Sequence, residues 1–151
     1  MMIVVQSQFK DVESRYPSEL FDKRWYANLI KAMRGCITEK ISFPLTIILV
    51  DEESIRAINK EYRALSRVTD VLSFAYTERG FIESGEVYLC PSQALKQRGK
   101  FRTTKKQEIA RLFVHGVLHI LGYDHTTVAP RRIMRKLEDC SMSTARTLKL
   151  C

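Results

Sequence analysis

Apolar and polar positions along the chain sort into short strands and longer helices that alternate. Residues 2–7, Met-Ile-Val-Val-Gln-Ser, are short and β-branched, which predicts a first strand. Over residues 17–40, Leu20, Leu29, Ile30, Met33 and Ile37 recur near the helical period, predicting an amphipathic helix with Ser18 as its cap. Residues 45–50 are apolar almost throughout, as expected of a central strand covered on both faces. Asp51 caps a predicted helix to about Glu61 that turns Ile55, Ile58 and Tyr62 toward the core. Residues 71–76 and 85–90 read as two further strands, paired as a hairpin across the loop from Gly80 to Gly85. A short helix is expected over 91–98 and a last amphipathic helix from Pro130, which carries Arg131, Arg132, Arg135 and Lys136. The strand–helix–strand order has a βαβ-like rhythm. There is no internal repeat or linker, so a single domain over residues 1–151 is expected.

One stretch departs from simple amphipathicity. Leu112, Phe113, Val114, Val117, Leu118, Ile120 and Leu121 leave no polar face, which predicts a buried helix, yet His115 and His119 lie inside it. All three histidines of the chain are in this region, at 115, 119 and 125. Positions i and i+4 share one helix face, so the first two rings converge. Gly122 suits a left-handed helix end, which would turn the chain back and bring His125 to the same point. Three imidazoles fit a tetrahedral Zn²⁺ with an open fourth position, the arrangement of catalytic rather than structural zinc. The spacing also equals that of metzincin peptidases, H-E-x-x-H-x-x-G-x-x-H. Gly116 stands where those enzymes place their general-base glutamate, which disfavours a peptidase. A glycine there also removes bulk beside the metal and would leave room for a phosphate.

Composition adds a partner and a compartment. A formal charge of +8 and a pI near 9.5 suit a polyanionic partner. Residues 96–106 concentrate six bases, Lys96, Arg98, Lys100, Arg102, Lys105 and Lys106, on the approach to the histidine helix; Lys100 and Arg102 are candidate substrate contacts. Cys36, Cys90, Cys140 and Cys151 form no C-x-x-C pair and, with no signal peptide in view, read as free thiols in a reducing cytoplasm. No apolar run is long enough to span a membrane.

The motif H-G-x-L-H-x-x-G-Y-D-H (His115 to His125) resembles that of the YbeY family, bacterial rRNA maturation factors described as metal-dependent endoribonucleases. Two further blocks support the resemblance: Asn59-Lys60-Glu61-Tyr62-Arg63 followed by Thr69-Asp70-Val71-Leu72-Ser73-Phe74, and Gly85-Glu86-Val87. The chain departs from the family at Val68 and Ala75, where proline is usual, and at Glu86, where aspartate is usual. The resemblance implies an α+β fold with a small mixed four-stranded sheet packed by helices, and zinc held by His115, His119 and His125. It implies a single-strand-preferring endoribonuclease acting in 16S rRNA 3′-end maturation and ribosome quality control, with the small ribosomal subunit and an assembly GTPase as partners.

The same resemblance makes Arg63 the candidate that stabilises charge on phosphoryl oxygens, a role suited to paired guanidinium hydrogen bonds. Asp124, beside His125, is a candidate proton acceptor or ring-orienting group and equally a turn-former. Water activated by zinc or the RNA 2′-hydroxyl would attack phosphorus, and the sequence leaves both open, with His115 and Arg63 in the catalytic set. Competing readings are an assembly factor acting mainly by binding, a metallopeptidase, and a purely structural zinc site.

Overall fold

The computed structural model describes residues 1–8, 15–98 and 103–151. Four strands, β1 (Ile3–Ser7), β2 (Leu45–Leu49), β3 (Val71–Glu78) and β4 (Phe81–Leu89), make one sheet in the order β1-β2-β4-β3. β1, β2 and β4 run parallel, and β3 is the antiparallel edge. Among the described residues there are five α-helices, α1 (Lys23–Arg34), α2 (Glu52–Arg63), α3 (Pro91–Arg98), α4 (Lys105–Ile120) and α5 (Val128–Thr147); α1 and α4 lie on the sheet, and α5 packs on those two. This is the mixed α+β architecture expected from the sequence.

The near-continuous apolar run of β2 has the expected cause. Leu45, Ile47 and Leu49 join Val87 and Leu89 in the main core under α1, α4 and α5, while Ile48 faces a second cluster with Val50, Ile55 and Leu72. Tyr26 of α1 stacks edge-on against Phe113 of α4 at 4.9 Å, and its hydroxyl donates to the Leu20 carbonyl at 2.9 Å, so its one polar group is satisfied in the core.

Several expectations need correction. The helix over 17–40 is two pieces: a 3₁₀ turn, Ser18–Phe21, and then α1, which ends at Arg34. Asp22, not Ser18, caps α1 by accepting from the Arg24 N–H at 2.9 Å. The β3–β4 hairpin closes at Arg79 and Gly80, both at positive φ (51° and 83°), so β4 begins at Phe81 rather than Gly85. The strand–helix–strand rhythm does not give a parallel β3, because β4 inserts between β2 and β3. Tyr62 does not face the core but is 62% exposed. The thiols are not all free: Cys36, just beyond α1, is disulfide-bonded to Cys140 of α5, while Cys90 and Cys151 are free. Two cysteines 104 residues apart carry no pairing signal in sequence.

Candidate metal centre and its cleft

α4 holds the centre, and its start is set by a capping box. The Gln107 N–H donates to Thr104 Oγ1, and the Thr104 N–H donates to Gln107 Oε1, both at 3.1 Å. Sixteen residues later the helix ends at Ile120. Gly122 adopts φ 94°, its N–H reaches the His119 carbonyl, and the Tyr123 N–H reaches the Leu118 carbonyl, each at 3.0 Å. This reversal is the one the glycine predicted, and it delivers His125 to the histidines of the helix.

His115 Nε2 and His119 Nε2 stand 3.0 Å apart, and one ligand atom from each of the three histidines falls within 4.8 Å of the others. Two nitrogens bound to one tetrahedral zinc at about 2.0–2.1 Å would be about 3.4 Å apart, so the donor set fits a single ion with little movement. Burial lowers the pKa of His119, and the neighbouring His115 and His125 lower it further, which favours the neutral ring that coordinates metal.

Sequence reasoning missed Glu138. Its carboxylate on α5 hydrogen-bonds His115 Nδ1, leaving Nε2 of that ring to face the other histidines. A carboxylate behind a metal-binding imidazole fixes its tautomer and raises its basicity. Nothing in the spacing from His115 to Glu138 signals this contact, since it depends on how α5 packs against α4. Glu138→Gln is expected to weaken zinc binding by about 10–100-fold, measured by competition with a chromophoric chelator, with the fold unchanged by circular dichroism.

One turn before His115, Arg111 donates to both carboxylate oxygens of the fully buried Glu108, at 2.6 and 3.2 Å. Burial opposes the Arg111 charge, but Glu108, Glu138 and Asp70 more than offset it. The pair lies within α4 itself and ties its first turn to the second.

The histidines open into a cleft of about 560 Å³ lined also by Arg63, Arg67, Thr69, Asp70, Ser73, Phe74, Gly116 and Asp124. Arg63, singled out from sequence, is therefore brought beside the histidines although 52 positions separate it from His115. It is the last residue of α2, and Ala64 follows at φ 55°, turning the chain across the cleft mouth. Buried Asn59 pins this turn: its Nδ2 donates to the Arg67 carbonyl at 3.0 Å, and its main-chain carbonyl accepts from the Leu65 N–H. Asn59→Ala removes that donor from a buried position. It is expected to cost about 1–3 kcal/mol in urea denaturation.

Asp124 lines the cleft, and its carboxylate accepts from the His125 N–H at 2.6 Å and from both the N–H and hydroxyl of Thr126. Those bonds, first that of Thr126, hold its pKa below the ordinary carboxylate value. The turn it stabilises is the one that presents His125. Asp70, also in the cleft wall, has a pKa raised by burial, with Glu108 adding to that rise and Arg111 and His115 working against it.

Gly116 lines the cleft beside the histidines and has a second use that the sequence did not show. A Cβ there would come within 3.0 Å of Val87 Cγ1 and 3.4 Å of Val71 Cγ2, so the glycine lets α4 press close on the sheet. Of the basic stretch, Lys96 pairs with Glu52 at 2.6 Å, Lys106 pairs with Glu19 at 2.8 Å, and Lys105 donates to the Arg15 carbonyl. These three do not line the cleft. Lys100, Arg102 and the Arg98 side chain lie outside the described residues. Bases reach the site from elsewhere: Arg67 beside Arg63, and Arg131 and Arg135 of α5 around a second hollow shared with His115, His125 and Glu138.

A family model described as endoribonuclease YbeY matches residues 8–146. The chain belongs to that family. Curated members include the endoribonuclease YbeY of Ureaplasma parvum serovar 3, 33% identical over 127 residues that make up 80% of this chain and 82% of the relative. Another, from Finegoldia magna, is 30% identical over 137 residues, 87% of this chain and 90% of the relative. Among solved structures, TM1509 from Thermotoga maritima superposes with a TM-score of 0.62 at 25% identity, covering 98% of this chain and 92% of that one. Among the described residues no helix is long and apolar enough to cross a membrane.

Proposed function

We propose that this protein is a zinc-dependent endoribonuclease that cuts single-stranded RNA at the three-histidine centre. The observation that carries the reading is that three imidazoles converge in a cleft that also holds Arg63 and Arg67. Zinc bound by His115, His119 and His125 would supply Lewis-acid stabilisation of negative charge on the phosphoryl group. Arg63 donates paired hydrogen bonds to the phosphoryl oxygens as their charge grows, and Arg67 holds the adjoining phosphate. Asp124 holds His125 in place, accepts the proton released by the attacking hydroxyl and returns it to the ribose oxygen whose bond to phosphorus breaks. Glu138 keeps the His115 ring oriented. The curated relatives named as endoribonucleases support the reaction class, and the +8 charge suits its polyanionic substrate.

The setting we propose is 16S rRNA 3′-end maturation and ribosome quality control in the cytoplasm, on the small ribosomal subunit with an assembly GTPase. The zinc-loaded protein should cleave single-stranded rRNA fragments faster than the same sequence in duplex form, and leave an unfolded protein substrate intact. RNA bound but never cut would move the function to assembly by binding. Zinc-dependent proteolysis with RNA untouched would overturn the proposal in favour of a peptidase.

A further inference from the structure

Four aromatic residues gather where the cleft crosses the free edge of the sheet. Phe74 lies in the cleft wall; Tyr62, next to Arg63, packs on it with ring centroids 5.0 Å apart. Tyr88 backs Phe74 edge-on at 5.8 Å. Tyr76, two residues along β3, shares that strand face. A burial argument does not account for this group: Tyr62 remains 62% exposed and Tyr76 48% exposed. Nor are the tyrosines loose. The hydroxyls of Tyr76 and Tyr88 both donate to the same oxygen of Glu86, at 3.0 Å each, which anchors the ring edges and leaves the Tyr76 ring largely open to solvent.

Exposed, immobilised rings beside guanidinium groups are what single-stranded nucleic acid uses: bases stack on the rings while cations hold the backbone. We infer that Tyr62, seated on Phe74, and Tyr76, on the same strand face, form a stacking platform for nucleobases of single-stranded RNA adjoining the phosphate held by Arg63. This rests on the nuclease reading of the cleft and adds to it a contact made through the bases. Discrimination against duplex then has a physical origin, because paired and stacked bases have no free face to offer. Every base has such a face, so the platform tolerates sequence.

The test uses the zinc-loaded protein and two fluorescein-labelled 2′-O-methyl oligomers of equal length, one with bases and one abasic, with affinity read by anisotropy. Tyr62→Ala should weaken binding of the base-bearing oligomer by roughly 5- to 150-fold and leave the abasic one unchanged. Tyr62→Phe, which keeps the ring and loses only the hydroxyl, should bind like the wild type. Equal losses on both oligomers would overturn the platform, since a disturbed Arg63 or fold acts on the backbone alike. No loss on either would overturn it too and leave the surface to a protein partner. Cleavage of unmodified RNA by the wild type is scored separately. A wild type that cuts, with Tyr62→Ala binding normally, removes the platform and keeps the nuclease. Base-dependent loss in a protein that does not cut removes the nuclease and keeps the platform.

Discussion

His119→Ala is expected to bind zinc too weakly to hold one ion per chain at micromolar metal and to lose RNA cleavage by roughly two to four orders of magnitude. The reason is geometric. His119 Nε2 faces His115 Nε2 at 3.0 Å from the middle of the set, and its removal leaves two histidines on different elements. Metal content by atomic absorption and initial cleavage rates measure the two effects. The fold should survive, since the core around Phe113, Val117 and Leu118 does not depend on the imidazole. Acidification should reproduce the loss in the wild type, because protons compete with zinc for the ring nitrogens. The sign for stability agrees. The folded pKa of His119 lies below its reference of 6.5, so the unfolded chain takes up the proton first, and without metal the fold loses stability as pH falls through that range.

Arg63→Ala should lower kcat about a hundredfold with zinc binding unchanged. Its guanidinium sits in the cleft but outside the histidine set, so in the proposed nuclease its contribution falls on the charge that grows on the phosphoryl oxygens. That charge is larger in the transition state than in bound RNA, so the loss belongs mainly in kcat rather than KM. Arg63→Lys should recover only part of it, because an ammonium keeps the charge and loses the paired donors. A raised KM with normal kcat would instead make Arg63 a backbone-binding residue, and the salt dependence of binding would then fall by about one ion.

Local signals carried much of this molecule. The three histidines and Gly122 were readable because their spacing lies within one helix and its cap, where geometry follows from the backbone alone. β2 was readable because an almost entirely apolar strand has one place to go. Tyr62 was misplaced because a helical period cannot tell a ring in the core from one leaning on Phe74 at the edge of an open face. The close approach that Gly116 allows was not readable, because its neighbours, Val71 and Val87, come from distant strands. Glu138 behind His115 and the Cys36–Cys140 bridge both depend on the seating of α5, which no local pattern records. Arg63 stood out through the resemblance of its motif, and the turn pinned by Asn59 supplies the physical reason for its position.

In the proposed function, one metal ion at the three histidines makes the cleft a nuclease. Zinc titrated into chelator-stripped protein, with bound metal and single-stranded RNA cleavage followed together, tests it most directly. The rate should rise in proportion to bound zinc and level off at one ion per chain. Cleavage by the stripped protein as fast as by the loaded one, unchanged in His119→Ala, would contradict it.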